Sequence, residues 1–373
     1  MTPFHLRRLG TIMEPELGNP YEDGGVLNPG AVRGPDGHLY LFPRLVAKGN
    51  YSRIGIARVS FDGEGNPSGV ERLGLALEPE ADYELHPGGG GCEDPRVTFL
   101  EPLGRYIMTY TAYSSRGPRI ALAESKDLFH WTRLGPATFD PCDGTECSTQ
   151  DFTGIDNKDG VLFPALLSDH RGQSSVALIH RPLFKGTDAH ETVQHPAPRN
   201  VELANESIWI SYCPVDGEDG QPRRLGHFRS HHRLACPVAP WERLKIGGGT
   251  PPFVVPHGWA FLYHGVSGTP ESPGHPKRLH YSAGVMVVDK NDPWHMLYRS
   301  PEPILKAARA EEREGIVANV VFPTGVDVRT DLGTSKRVDV YYGMADYKIG
   351  AATLVVPDEL PPGSRADPHE GRV

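Results

Sequence analysis

No apolar run in this 373-residue chain is long enough to span a bilayer, and the opening stretch "MTPFHLRRLGTIMEPELG" has no apolar core of signal-peptide length. A cytoplasmic protein is the expectation. Cysteine is scarce: Cys92, Cys142, Cys147, Cys213 and Cys236 are odd in number and irregularly spaced. "PCDGTEC" sets four residues between two of them, with no second pair or neighbouring histidine pattern, which argues against zinc and for reduced thiols. Positive charge is in deficit, 38 Lys and Arg against 47 Asp and Glu, for a formal charge of −9. That removes the broad basic field a nucleic-acid partner requires and leaves room only for a local basic pocket. Helical periodicity is almost absent too; "ILKAARAEEREG" (304–315) is the best short candidate.

Turn-formers are abundant, with 43 Gly and 36 Pro. Between them lie short segments rich in β-branched and aromatic residues, such as "GHLYLFPRLV", "SRIGIARVSF", "RYIMTYTAYS", "SVALIHRP", "GWAFLYHGV" and "VDVYYGMAD". The chain reads as all-β. A degenerate echo of strand, polar turn and return ("RIGIARVSFDG", "RIALAESKDLFHWTRLG", "SIWISYCPVD") suggests stacked blades around an axis, with a sandwich as the competing architecture. No linker divides the chain, so residues 1–356 form one domain and 357–373 a polar tail.

Charged residues embedded in Gly/Pro chemistry interrupt the strands. In "HPGGGGCEDPRVTFLEP" four glycines deliver the backbone to Glu93, Asp94, Pro95 and Arg96. Glycine permits close approach of backbone or ligand, and Pro95 stiffens the exit. Either an Asp94–Arg96 pair braces a surface turn, or the acid is held at a fixed point in a pocket. The same pattern recurs in "GVLNPG" (Asn28), "LFPRL" (Arg44), "DNKDGVLFP" (Lys158, Asp159), "LIHRP" (His180, Arg181), "LKIGGGTPP" (Lys245), "FLYHGV" (Tyr263, His264) and "YYGMAD" (Asp346). Tyr110 and Tyr113 are candidates for an aromatic wall of such a pocket or for core packing. Trp131, Trp209, Trp241 and Trp259 read as core.

Taken in order, these blocks resemble glycoside hydrolase family 130, mannoside phosphorylases with some β-1,2-mannosidases, from about Leu9 to Asp346. The resemblance implies a five-bladed β-propeller. It makes Asp94 the general acid, protonating the leaving oxygen through a hydroxyl of the bound mannose. It puts Asn28, Arg44 and Asp346 in the mannose subsite, and Lys158, Arg181, Lys245, His264 and Tyr281 around phosphate. Arg96 and Tyr113 join the substrate-binding set. Lys158 stands where many of these phosphorylases carry arginine, which keeps the charge and forgoes a bidentate grip. The segments after "FP" and after "YHGV" are enlarged, where the leaving-group subsite and Tyr281 fall.

Inversion by hydrolysis needs an acid and a base, whereas inorganic phosphate attacks without one and instead needs gathered cations. Retention of Lys158, Arg181 and Lys245 therefore favours an inverting phosphorylase giving α-mannose 1-phosphate. A β-mannosidase using Asp156, Asp159 or Glu206 as base is the alternative, and a non-catalytic carbohydrate-binding propeller a third reading. Inorganic phosphate is the co-substrate and a small β-mannoside the partner. No metal, other cofactor, nucleic acid or membrane is called for, and the resemblance suggests a homo-oligomer.

Overall fold

The computed structural model describes residues 4–141, 152–183, 206–217, 222, 224–269 and 278–360. The chain is all-β, as its sequence suggests. Its strands fall into five antiparallel units. The first comprises Gly25–Arg33, Leu39–Ala47, Tyr51–Phe61 and Pro67–Leu77. The second comprises Gly90–Leu100, Arg105–Ser114, Gly117–Ser125 and Thr132–Pro136. A short parallel pairing, Tyr51 with Gly90 and Ser52 with Gly91, joins these two into one eight-stranded sheet. The third holds Asn157–Ser168, Ser174–Pro182, Ile208–Pro214 and His227–Ala235. The fourth is built on Lys245–Gly248, Gly258–Thr269, Arg278–Asp289 and Met296–Arg299. In the fifth, Val321–Val328, Arg337–Met344 and Lys348–Val355 are completed by the N-terminal strand His5–Met13, which pairs with Lys348–Val355.

Each unit is apolar on both faces because each is covered on both. Clusters of buried side chains lie between successive units: Phe42 and Met108 between the first and second, Leu122 and Leu178 between the second and third, and Phe163 and Phe261 between the third and fourth. Val285 and Val340 meet between the fourth and fifth, and Leu41 and Tyr341 between the fifth and first. The opening strands also touch in the same cycle. Gly30 packs on Pro95, Thr98 donates to the Leu162 carbonyl at 3.3 Å, and Gly248 packs on Asp159. Gly249 packs on Pro323, and Thr324 donates to the Pro29 carbonyl at 2.9 Å.

A second regularity ties the outer edges. Glu84, Glu242 and Glu312, all fully buried, lie in the links that lead into the second, fourth and fifth units. Each accepts two backbone N–H groups from the residues just before it through Oε2. Each also accepts a tyrosine hydroxyl from the second strand (Tyr110, Tyr263, Tyr342) and an arginine from the outermost one (Arg133, Arg299, Arg8). Glu22 holds Arg72 of the first unit in the same way, without a tyrosine. A carboxylate that satisfies four or five donors is one of the few ways a full charge can be buried.

Tyr110 is thereby a core residue, and the four tryptophans lie in or against the clusters. The stretch expected to be helical gives only the single turn Ala310–Arg313, because Leu305–Lys306 is taken as a strand by Ser282 and Ala283. Of the tail expected from 357, Leu360 packs on the fourth cluster and the Asp358 carbonyl meets His257 Nε2 at 2.9 Å; residues 361–373 lie outside the described set.

Removing one partner of a buried pair strands the other charge, at a cost of about 3–5 kcal/mol. Glu242→Ala, which leaves Arg299 buried with its main acceptor gone, should lower the thermal unfolding midpoint markedly. Exposed Glu71→Ala, which breaks a surface pair with Arg58, should barely move it.

Candidate active site

Three of the opening strands carry a bulge at the same place. The ladder slips between Leu27 and Gly30, between Glu93 and Arg96, and between Lys158 and Val161. The residue at each slip is an Asn or Asp in the left-handed region: Asn28 at φ 45°, Asp94 at 46° and Asp159 at 58°. Asp346, in the turn between the second and third strands of the fifth unit, sits at 50°. Asn and Asp tolerate this conformation better than other non-glycine residues, and a bulge re-aims a side chain out of the pleat. All four border one open cavity of about 1520 Å³. The glycine run serves the same end: a Cβ on Gly91 would stand 2.3 Å from the Ser52 carbonyl and one on Gly90 2.7 Å from that of Tyr113. Only glycine passes between those strands.

One side of the cavity is a knot of carboxylates around Arg44. Asp94 Oδ1 accepts from Asn28 Nδ2 at 2.8 Å and from Arg44 Nη1 at 3.2 Å, while Arg44 Nη2 donates to Glu93 at 2.8 Å. Burial pushes Asp94 up, but Arg44, Arg96, the Asn28 hydrogen bond and Lys158 prevail and hold it below the usual carboxylate range. Asp346 goes the other way. Burial and the neighbouring charges of Asp94 and Glu93 raise it to about 6 against the pull of Arg44 and Lys158. Protons in this knot therefore reside first on Asp346.

The other side gathers cations. Lys158 and Arg181 are directly opposite on paired strands. Like charges so placed repel unless carboxylates or an anion lie between. Lys158 Nζ stands 3.6 Å from Glu93 and 5.6 Å over the Tyr113 ring. Arg181 Nε donates to Asp159 Oδ2 at 2.6 Å, and its Nη1 lies against the Glu206 carboxylate. Lys245 reaches the same Glu206 at 3.9 Å. His264 is 3.7 Å from Asp159, yet burial lowers its pKa to about 3, so it is a neutral imidazole. Behind this wall His180 is fully buried between Asn157 and Ser211, bonded to both, and braces the ladder that carries Lys158 and Arg181.

Of the eleven residues that the family resemblance puts in the site, ten border the cavity: Asn28, Arg44, Asp94, Tyr113, Lys158, Arg181, Lys245, His264, Tyr281 and Asp346. Arg96 does not. Its guanidinium is turned inward, where acceptors await it: the carbonyls of Asp94 at 2.8 Å and Gly249 at 3.1 Å, with Gly248 and Asp159 at 3.4 and 3.5 Å. It braces the floor instead of facing a ligand. The cavity is also lined by Arg116, Arg119, Arg278, Ile316 and Val317, which the sequence did not single out, and Glu93 stood there only as the neighbour of Asp94. The repeated Asn-Pro, Asp-Pro and Asp-Gly steps were the available signal for the bulges. Among the described residues no group of three or more His, Cys, Asp or Glu could hold a metal ion.

Carboxylates and cations converging on one open pocket of an all-β chain are the layout of a group-transfer or hydrolytic enzyme. The chain belongs to glycoside hydrolase family 130: the family model, described as β-1,4-mannooligosaccharide phosphorylase, matches residues 6–360. It is 28% identical over 362 residues to a 1,2-β-oligomannan phosphorylase of Thermoanaerobacter sp. (strain X514), covering 95% of this chain and 98% of that one. A β-1,4-mannooligosaccharide phosphorylase of Ruminococcus albus is 27% identical, over 77% of this chain and 69% of its own. Among solved structures, β-1,2-mannobiose phosphorylase from Listeria innocua in complex with β-1,2-mannobiose superposes with a TM-score of 0.67 at 21% identity, covering 94% and 97% of the two chains.

Asp346, raised in the folded protein, favours the native state below its unfolded pKa of about 4 and loses that contribution as pH rises toward 6. Thermal melts from pH 4 to 7 should therefore show a fall across that window that Asp346→Asn flattens.

Proposed function

We propose that the protein is an inverting phosphorylase that cleaves a β-mannoside with inorganic phosphate to give α-mannose 1-phosphate and a shortened acceptor. The observation that carries this reading is the meeting of Lys158, Arg181 and Lys245, from two different units, on the cavity that Asp94 borders. The relatives named as phosphorylases agree with it. Asn28, Arg44 and Asp346 would hold the mannose, Tyr113 would lie against it, and His264 and Tyr281 would complete the phosphate seat.

In this reaction the C1–O bond to the leaving group breaks and a C1–O bond to phosphate forms on the opposite face. The leaving oxygen takes the proton of Asp94 through a sugar hydroxyl, and the proton that hydrogen phosphate brought replaces it, so none is consumed overall. In the resting site Arg44 and Lys158 keep Asp94 ionised. A phosphate dianion beside Lys158 offsets that cation and lifts the Asp94 pKa toward a value from which it can donate.

Hydrolysis on this scaffold is the weaker reading. Asp159 is tied to Arg181 and held well below the usual range, Asp156 is paired with Arg119, and Glu206 does not border the cavity. A base for water needs a pKa near neutrality and a line to the sugar.

The cyclic contacts of the five units support a five-bladed β-propeller formed as one catalytic domain, closed by the N-terminal strand. Buried Cys92 and Cys213, as free thiols, fit a reducing cytoplasm. Among the described residues no helix is long and apolar enough to cross a membrane.

Asp94→Asn should lower turnover at least ~100-fold, the low end of what general acid catalysis contributes, in a protein that is still folded at the assay temperature. Release of reducing sugar from β-mannooligosaccharides should require phosphate in the wild-type protein. Equal release without phosphate would sink phosphorolysis and favour the hydrolase.

A further inference from the structure

An anion site assembled by attraction alone would hold no permanent negative charge, yet Asp159 stands among its cations. It borders the cavity, and its Oδ2 accepts from Arg181 Nε at 2.6 Å. Among the described residues its Oδ1 has only Arg96 Nη2, at 3.5 Å, and a carboxylate offers about four acceptor positions. Acceptor capacity is therefore left over on the oxygen that Arg181 does not take.

The placement is constructed. A Cβ on Gly247 would come within 2.3 Å of Asp159 Oδ2 and 2.4 Å of His264 Cε1, so that glycine makes room for both. His264 Nδ1 is buried and has no partner among the described residues. The pocket thus offers cationic donors, a neutral imidazole and one ionised acceptor to the same guest.

We propose that Asp159 makes the anion site selective for oxyanions that carry a proton, its Oδ1 accepting the P–OH hydrogen of hydrogen phosphate. Sulfate, with four bare oxygens at neutral pH, meets that carboxylate lone pair to lone pair and is turned away. Arsenate, protonated as phosphate is, enters. The contact is a hydrogen bond only, and no proton crosses it. This assignment rests on the phosphorolytic reading of the same cavity.

The experiment measures α-mannose 1-phosphate formation by the wild-type protein with arsenate, itself able to attack C1, and sulfate as competitors at neutral pH. Arsenate should compete near the phosphate KM. Sulfate should need at least ~10-fold more, the factor that one hydrogen bond to a charged group supplies. Asp159→Asn keeps the shape, tolerates the left-handed backbone, and adds an amide that can donate to sulfate. Its phosphate KM should rise by ~10- to 100-fold while sulfate inhibition tightens. Sulfate inhibiting the wild-type protein as strongly as arsenate overturns the proposal, whether or not the variant folds. So does an unchanged phosphate-to-sulfate ratio in a folded variant. Turnover indifferent to phosphate overturns the phosphorolytic reading itself, by a separate readout.

Discussion

One buried guanidinium holds the site in register. Arg96 is 1% exposed and joins the Asp94 carbonyl in the second unit to the Gly248 and Gly249 carbonyls of the fourth and to Asp159 of the third. Its charge is spread over a planar fork that matches several acceptors at once, something a lysine cannot do. The acid end and the cation end of the cavity are thereby fixed to each other through one rigid group. Desolvating that charge is costly, and the cost is offset only because every acceptor is present in the folded state.

The sequence made the all-β character and most of the pocket legible, because both are written in local chemistry. Gly, Pro, Asn and Asp mark where strands stop or slip, and the charged residues beside them are the ones that border the cavity. What stayed hidden depends on direction. Arg96 follows Asp94 by two residues and reads as its companion, yet the bulge between them sends the two side chains to opposite sides of the floor. Which of Asp94 and Asp346 holds a proton depends on how Arg44 and Lys158 are shared between them, and no local pattern encodes that.

The internal echo falls on the third strand of the first three units, Tyr51–Phe61, Gly117–Ser125 and Ile208–Pro214, but a second regularity is invisible in the sequence. That regularity is a lone buried glutamate in a link, a tyrosine on the second strand of the unit it leads into and an arginine at the outer edge. Those three residues lie tens of positions apart at unequal spacing, and Arg8 joins its set from the other end of the chain. Spacing cannot reveal a motif that only the fold assembles. Its effect is that the outer edge of a unit is locked to its entry link by charge while the inner edge is left free to carry bulges.

The pairing of His5–Met13 with Lys348–Val355 has a consequence for biosynthesis. His5–Met13 is made before every other described strand, and its mate Lys348–Val355 after all of them. The units between can each settle against the one before as the chain lengthens, but the last stays incomplete until its two distant ends meet. Asp346 and Arg8 both belong to that closing unit, so a nascent chain with four finished sheets would still lack part of the cavity wall.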